Sequence, residues 1–218
     1  MPGRPQAEDA EVIKRIQRSE HRLVTAGDLD PLLAAIGDAR YVLLGEASHG
    51  TSEFYTWRAQ LSQRLISEKG FSFIAVEGDW PDCYCVNRYI KGYNDAGESA
   101  HKMLQTFDRW PTWMWANWEI VVLTEWLRRT NQQRPRHKQV GFYGLDVYLI
   151  DQPVAMTVRG HRAIGVVYKP NQERGNYVPT ILLQRYDAFL YIDQTEALHP
   201  LPIHPAPAKP PETYPWGV

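Results

Sequence analysis

Six residues of this chain carry groups that could do chemistry together: Glu46, His49, Arg58, Glu77, Asp79 and Asp146. Glu46 and His49 lie close together in Gly45-Glu46-Ala47-Ser48-His49-Gly50. An imidazole titrates near neutrality, so it can take a proton from water, and a carboxylate bonded to it fixes its tautomer. Carboxylates crowded together raise one another's pKa, which widens the proton transfers they can serve. Arg58 would supply a fixed positive charge for a developing oxyanion. A plainer reading exists for any one carboxylate, because strand ends often carry an acidic helix cap. Three such strand ends and a histidine favour chemistry.

These residues need elements to bring them together. Tyr41-Val42-Leu43-Leu44 reads as a short buried strand that breaks at Gly45 and leaves Glu46, Ser48 and His49 in the following loop. In an open α/β sheet that loop lies at the carboxyl edge, where ligands bind. Thr51 or Ser52 can cap the next helix, since a hydroxyl there accepts a hydrogen bond from a free N–H of the first turn. Phe54, Trp57, Leu61 and Leu65 give this helix one apolar face, and Arg58 rides on it. Phe73-Ile74-Ala75-Val76 is a second strand running into Glu77-Gly78-Asp79, and Val140-Gly141-Phe142-Tyr143-Gly144 is a third ending at Leu145-Asp146. If all three are parallel, Glu46, Glu77 and Asp146 share one rim with His49. The expected fold class is α/β, a mostly parallel central sheet flanked by helices.

The segments GEASHGTSEFYTWR, GFSFIAVEGDWPDCYCVNRYI and GFYGLDVY, in that order, resemble the erythromycin esterase family. ERGNYVPTILLQRYDAFLYID and PPETYPWGV resemble its C-terminal end. By that resemblance Glu46, His49, Arg58 and Glu77 fall on positions lining the family's active site. Asp79, Arg88 and Asp146, near the same strand ends, are the expected substrate-binding residues. Family members are longer, and the resemblance implies that this chain lacks their middle segment, which carries a second histidine and covering helices. After Val147-Tyr148 the chain passes almost at once to residues 162–167, which resemble the fold's last strands. The implied organisation is an N-terminal helical segment over residues 1–39 and an α/β core over 40–150. C-terminal strands follow over 151–197, then a Pro-rich tail over 198–218. The implied activity is hydrolysis of a macrolide lactone or another hindered ester, with a role in antibiotic resistance and no cofactor.

Composition narrows the partners. The 218 residues are 44% hydrophobic and 12% aromatic, as a globular chain requires. Lys plus Arg is 24 against 25 for Asp plus Glu, so a net charge of -1 gives no general attraction to nucleic acid. No stretch approaches the roughly 20 apolar residues that cross a bilayer, and the polar N-terminus reads as no signal peptide. Cys83 and Cys85 are the only cysteines; on a helix their thiols diverge, and two reduced thiols suggest the cytoplasm. The expected partner is a small-molecule ester, with neither nucleic acid nor membrane.

The remaining chain supports this frame. Residues 8–19 suit a short helix. Asp28 can cap the next, with Pro31 in its first turn and Leu29, Leu32, Leu33 and Ile36 on one face. Trp80-Pro81-Asp82 starts a helix with Val86, Tyr89 and Ile90 inward; its Arg88 reaches either the strand-end carboxylates or a solvent-facing acid. Trp115, Trp118, Val122 and Trp126 share a face widened by Ile120, Leu123 and Leu127, which reads as core, or else as an aromatic wall for a bulky substrate. Residues 128–138 read as a polar loop, and residues 163–168 and 188–192 as strands. The seven prolines from Leu198 onward suit an extended strap over the protein's own surface, or a ligand for an aromatic groove.

Three chemistries compete. In the first, His49 activates water, Glu46 or Glu77 orients it, and Arg58 or N–H groups at the start of the Ser52 helix hold the oxyanion. Ser48 and Ser52 lack the Gly-x-Ser-x-Gly elbow of a nucleophilic serine. In the second, the Glu46/His49/Glu77 rim with Asp146 binds a divalent metal or haem, although catalytic zinc normally takes two or three histidines. In the third, a shortened family member is catalytically impaired because its rim is open to water; His101, His137 and His161 have no spacing that aims them there.

Overall fold

Two of the three expected strands of the core do pair, and the helices around them follow from where the apolar residues fall. The computed structural model describes residues 20–108, 111–146 and 194–202, with a few single positions beside them. The chain divides into two compact units, Met1–Ala39 and Arg40–Val218.

In the first unit a 3-10 turn, Ala26–Leu29, leads into α1, Asp30–Ile36. Asp28 caps the 3-10 turn rather than the helix: its Oδ2 accepts from the N–H groups of Val24 at 2.9 Å and Thr25 at 2.7 Å. Pro31 occupies the first turn of α1, where a missing N–H costs nothing, and Leu29 and Leu33 are buried. The helix expected over residues 8–19 lies almost wholly outside the described residues.

The second unit runs α2 (Ser52–Glu68), β1 (Phe73–Asp79), α3 (Trp80–Ile90), α4 (Ala100–Leu104), α5 (Trp118–Gln132) and β2 (Gly141–Asp146). β1 and β2 pair in parallel, with Phe73 opposite Gly141 and Asp79 opposite Asp146, and the register slips between Val76 and Asp79. Glycines let the two strands close up there. A Cβ at Gly144 would stand 2.5 Å from the Gly78 carbonyl oxygen, and one at Gly78 would stand 2.9 Å from Cys83 Sγ.

Residues 41–44 correct the sequence reading. They form no strand, and Leu43 is 95% exposed. An apolar run becomes a strand only where its N–H and C=O groups find a ladder, and no described strand pairs with it. Residues 151–160 and 163–168, and most of 188–192, lie outside the described residues.

The core lies between the sheet and α3 and α5. Cys83, Val86, Tyr89 and Ile90 of α3 are almost wholly buried, and an apolar side chain buried this way contributes about 1.5–3 kcal/mol. Asn131 of α5 then locks β2 in place. Its Nδ2 donates to the carbonyls of Ile90 (3.1 Å) and Val140 (3.0 Å), and its Oδ1 accepts from the Val140 N–H at 2.7 Å. Asn87 Oδ1 accepts the N–H of Phe142 at 3.1 Å.

That anchor sets which face of α5 turns inward, and it matches the expected face only in part: Trp126 packs against the core, whereas Trp118 and Val122 turn away from it. Ile120, Leu123, Thr124, Leu127 and Asn131 are buried, while Trp118 is 47% and Val122 63% exposed. Asn117 caps the helix by accepting from the Ile120 N–H at 2.9 Å, so Trp115 precedes the helix and is buried on its own account. The helix also runs through residues 128–132, read from sequence as loop. Arg128 stays helical there because its Nη1 donates to the Tyr89 carbonyl and its guanidinium lies 4.3 Å over the Tyr89 ring.

Residues 194–202, where the Pro-rich tail begins, lie along this unit as a strap. Leu198 and Leu201 are buried in the core. Thr51 and Ala197 form an antiparallel bridge, as do Asn117 and Pro200. The rest of the tail, from residue 203, lies outside the described residues.

Candidate active site

Glu46 and His49 stand in the loop before α2, and Arg58 rises from the second turn of that helix toward them. His49 Nδ1 lies 2.7 Å from Glu46 Oε1, and Arg58 Nη1 donates to Glu46 Oε2 at 2.9 Å. One carboxylate thus bridges a guanidinium and an imidazole. Glu77 arrives from β1, and its Oε2 lies 4.0 Å from His49 Nε2, an ion-pair separation rather than a hydrogen bond. Glu46 is largely covered, with 10% of its side chain exposed, whereas 62% of the Glu77 side chain is open.

The hydrogen bond to Glu46 raises the His49 pKa above its ordinary value, against the opposing effect of burial; Glu46 and Glu77 add electrostatic support and Arg58 opposes. A proton on Nδ1 directed at Glu46 leaves Nε2 as the basic nitrogen, facing Glu77.

The floor is aromatic. The Arg58 guanidinium lies 4.3 Å over the Tyr55 ring and 5.6 Å from the Trp115 ring, so its charge rests on π-faces as well as on Glu46. Trp115 Nε1 donates to the Glu77 carbonyl at 2.8 Å, which holds the end of β1 in place. Tyr55 is buried, and its hydroxyl, like Arg58 Nη2, makes no hydrogen bond among the described residues. Burial drives the phenol's pKa upward. Neither Tyr55 nor Trp115 stands out in sequence as a site residue; Tyr55 sits one helical turn before Arg58, which is the one signal that places them together.

The other expected residues divide. Asp79 is buried at the N-cap position of α3, and the backbone of Asp146 pairs with it at the same edge of the sheet. The Asp146 side chain lies outside what is described. Arg88 is turned elsewhere: it pairs with Asp95 and lies 4.8 Å over the Tyr93 ring, so the structure does not bring it to the rim. Of the N–H groups at the start of the Ser52 helix, expected as oxyanion donors, that of Ser52 already donates to the Glu196 carbonyl at 2.9 Å. His101 stacks on Trp118 at 4.9 Å, His137 lies in the 3-10 turn Arg136–Lys138, and His161 is outside the described residues. Among the described residues no three His, Cys, Asp or Glu side chains converge as metal ligands would.

A family model for erythromycin esterase matches residues 66–158 and 150–195. The chain belongs to the erythromycin esterase family. The matched span takes in Glu77, Asp79, Arg88 and Asp146, while Glu46, His49 and Arg58 precede it. An Escherichia coli protein, "Erythromycin esterase type II", is 29% identical over 120 residues, covering 55% of this chain and 26% of that one. The crystal structure of a succinoglycan biosynthesis protein superposes with a TM-score of 0.56 at 30% identity, covering 68% of this chain and 37% of the other. A Bacillus cereus protein of known structure follows, with a TM-score of 0.50 and 27% identity over 63% of this chain and 33% of its own. The chain therefore spans between about a quarter and two-fifths of the length of these relatives. The α/β fold expected from the strand–helix order is the family's. Among the described residues no helix is long and apolar enough to cross a membrane.

Proposed function

We propose that this erythromycin esterase family member hydrolyses a carboxylic ester by activating water at His49, with a macrolide lactone or a comparably hindered ester as substrate. The observation that carries this reading is the relay Arg58–Glu46–His49, at 2.9 and 2.7 Å, which leaves Nε2 turned toward Glu77. A water bound between Nε2 and Glu77 gives its proton to Nε2 while its oxygen attacks the ester carbonyl carbon. Negative charge moves to the carbonyl oxygen. Arg58 is the cation assigned to that charge in this mechanism. When the tetrahedral species collapses, the C–O bond to the alcohol breaks and the imidazolium returns its proton to the leaving alkoxide. Carboxylic acid and alcohol are the products. Glu46 stabilises the imidazolium throughout.

Opening a macrolide lactone would disarm the antibiotic, which makes resistance the physiological role. A second reading, a family member without turnover, draws support from the exposure of Glu77, because charges facing water interact weakly. A panel of macrolides and simple lactones assayed with the wild-type chain and with His49→Ala decides between them. Loss of about 100-fold or more in the variant is the expected result for a general base. Equal rates in the two proteins would overturn the hydrolytic reading.

A further inference from the structure

The strap made by residues 194–202 reaches the residue beside His49. Leu198 donates its N–H to the Gly50 carbonyl at 2.9 Å, and the Ser52 N–H donates to the Glu196 carbonyl at 2.9 Å. Gly50, with a φ of 86°, sits in the left-handed region, and a Cβ there would meet the Trp113 ring at 3.5 Å. The turn after His49 is thus pinned on both sides by main-chain bonds to a segment more than 140 residues away.

One carboxylate closes this arrangement. Glu119, in the first turn of α5, has 8% of its side chain exposed. Its Oε1 accepts from Ser52 Oγ at 2.6 Å and lies 2.7 Å from His199 Nδ1. Its Oε2 lies 3.5 Å from the His199 N–H. The strap is held to the start of α5 by Trp118 N–H to the His199 carbonyl at 3.0 Å, and to the turn before it by Leu201 N–H to the Ala116 carbonyl at 2.9 Å. Glu119 therefore joins three elements: the head of the helix bearing Arg58, the strap, and the start of α5.

We infer that Glu119 is a positioning residue for the candidate active site, holding Ser52 and His199 together so that the strap fixes the turn that aims His49. The inference rests on the reading of His49 as the base. It requires no substrate to be tested, because a loosened turn changes the backbone and the imidazole whether or not turnover occurs. A charge-assisted hydrogen bond is stronger than a neutral one, so Glu119→Gln keeps the shape and weakens both ties.

The test is amide exchange and histidine titration by NMR on the full chain, comparing wild type, Glu119→Gln and His199→Gln. Exchange at the Ser52 and Leu198 amides is expected to rise roughly tenfold in both variants, the effect of about 1.4 kcal/mol of lost tie. The Val140 and Phe142 amides, held by Asn131 and Asn87, should keep their rates. The His49 ring should titrate closer to 6.5, its ordinary value, as its contact with Glu46 loosens. Unchanged exchange at Ser52 and Leu198 in both variants would overturn the inference. So would an equal rise at Val140 and Phe142, which would make Glu119 a contributor to global stability alone. Where hydrolysis is measurable, kcat falls in Glu119→Gln with KM unchanged. A wild-type chain that hydrolyses nothing counts against the ester reading, while the exchange pattern still decides the positioning role.

Discussion

At the scale of single residues, the Glu46 carboxylate does two jobs with its two oxygens. Oε1 fixes the imidazole and Oε2 is fixed by Arg58, so neither end is free to rotate. Arg58 thereby acts first on Glu46, and under the proposed mechanism only then on the oxyanion. Removing the charge while keeping the shape separates these roles. In Glu46→Gln the His49 pKa falls, because the hydrogen bond that raises it is weakened. His49 must be neutral to act as a base, so kcat/KM climbs with pH through its pKa. In Glu46→Gln that rising limb moves to lower pH, and the plateau drops by about tenfold or more as the imidazolium loses its partner. A pH–rate profile beside an NMR titration of His49 measures both.

At the scale of elements, the edge of the sheet that carries Glu77 depends on close approach and on one buried amide. Gly144→Ala places a methyl 2.5 Å from the Gly78 carbonyl oxygen, where backbone rather than a flexible side chain must move. Overpacking of that kind costs about 1–3 kcal/mol, read as a lower urea midpoint. Asn131→Ala strands three backbone groups, the Ile90 and Val140 carbonyls and the Val140 N–H. Its cost is on the order of 3 kcal/mol, since each buried polar group left without a partner costs about 1–3 kcal/mol. Because Gly144 adjoins the site edge and Asn131 does not, the first variant should also disturb turnover below its unfolding midpoint. The second should leave it intact until the chain unfolds.

Across the whole molecule, titration brackets stability from both sides. His49 and His199 are both raised above their ordinary value of 6.5, His199 chiefly by its hydrogen bond to Glu119. A raised histidine stabilises fully below 6.5, and that contribution is lost as pH climbs through the folded-state value. Glu119 behaves in the opposite sense. Burial disfavours its charge, yet hydrogen bonds from Ser52 and His199 hold it below its ordinary 4.5, so its contribution is lost as pH falls through that lowered value. The melting temperature should therefore be higher near pH 6 than near pH 8, and His199→Gln should flatten part of that decline. Thermal melts across this range check it; a steeper decline in the variant would contradict it.

The sequence by itself marked two of the strands, the helices around them and the Glu46–His49 partnership, while the parallel pairing it left as a condition came from the fold. Each rests on a local pattern: the apolar runs ending in Glu77 and Asp146, Pro81 in a first helical turn, and a carboxylate and imidazole close enough in one loop to touch without help from the rest of the chain. Tertiary structure alone decided what no local pattern encodes. It left residues 41–44 without a ladder, turned Arg88 to Asp95, and rotated α5 so that Asn131 faces inward and Trp118 outward. It also set Tyr55 and Trp115 beneath Arg58, and laid residues 194–202 against Gly50 and Ser52. The physical reason is range. Periodicity and capping act over a few residues, whereas these outcomes turn on which distant backbone groups and side chains satisfy one another once the core closes.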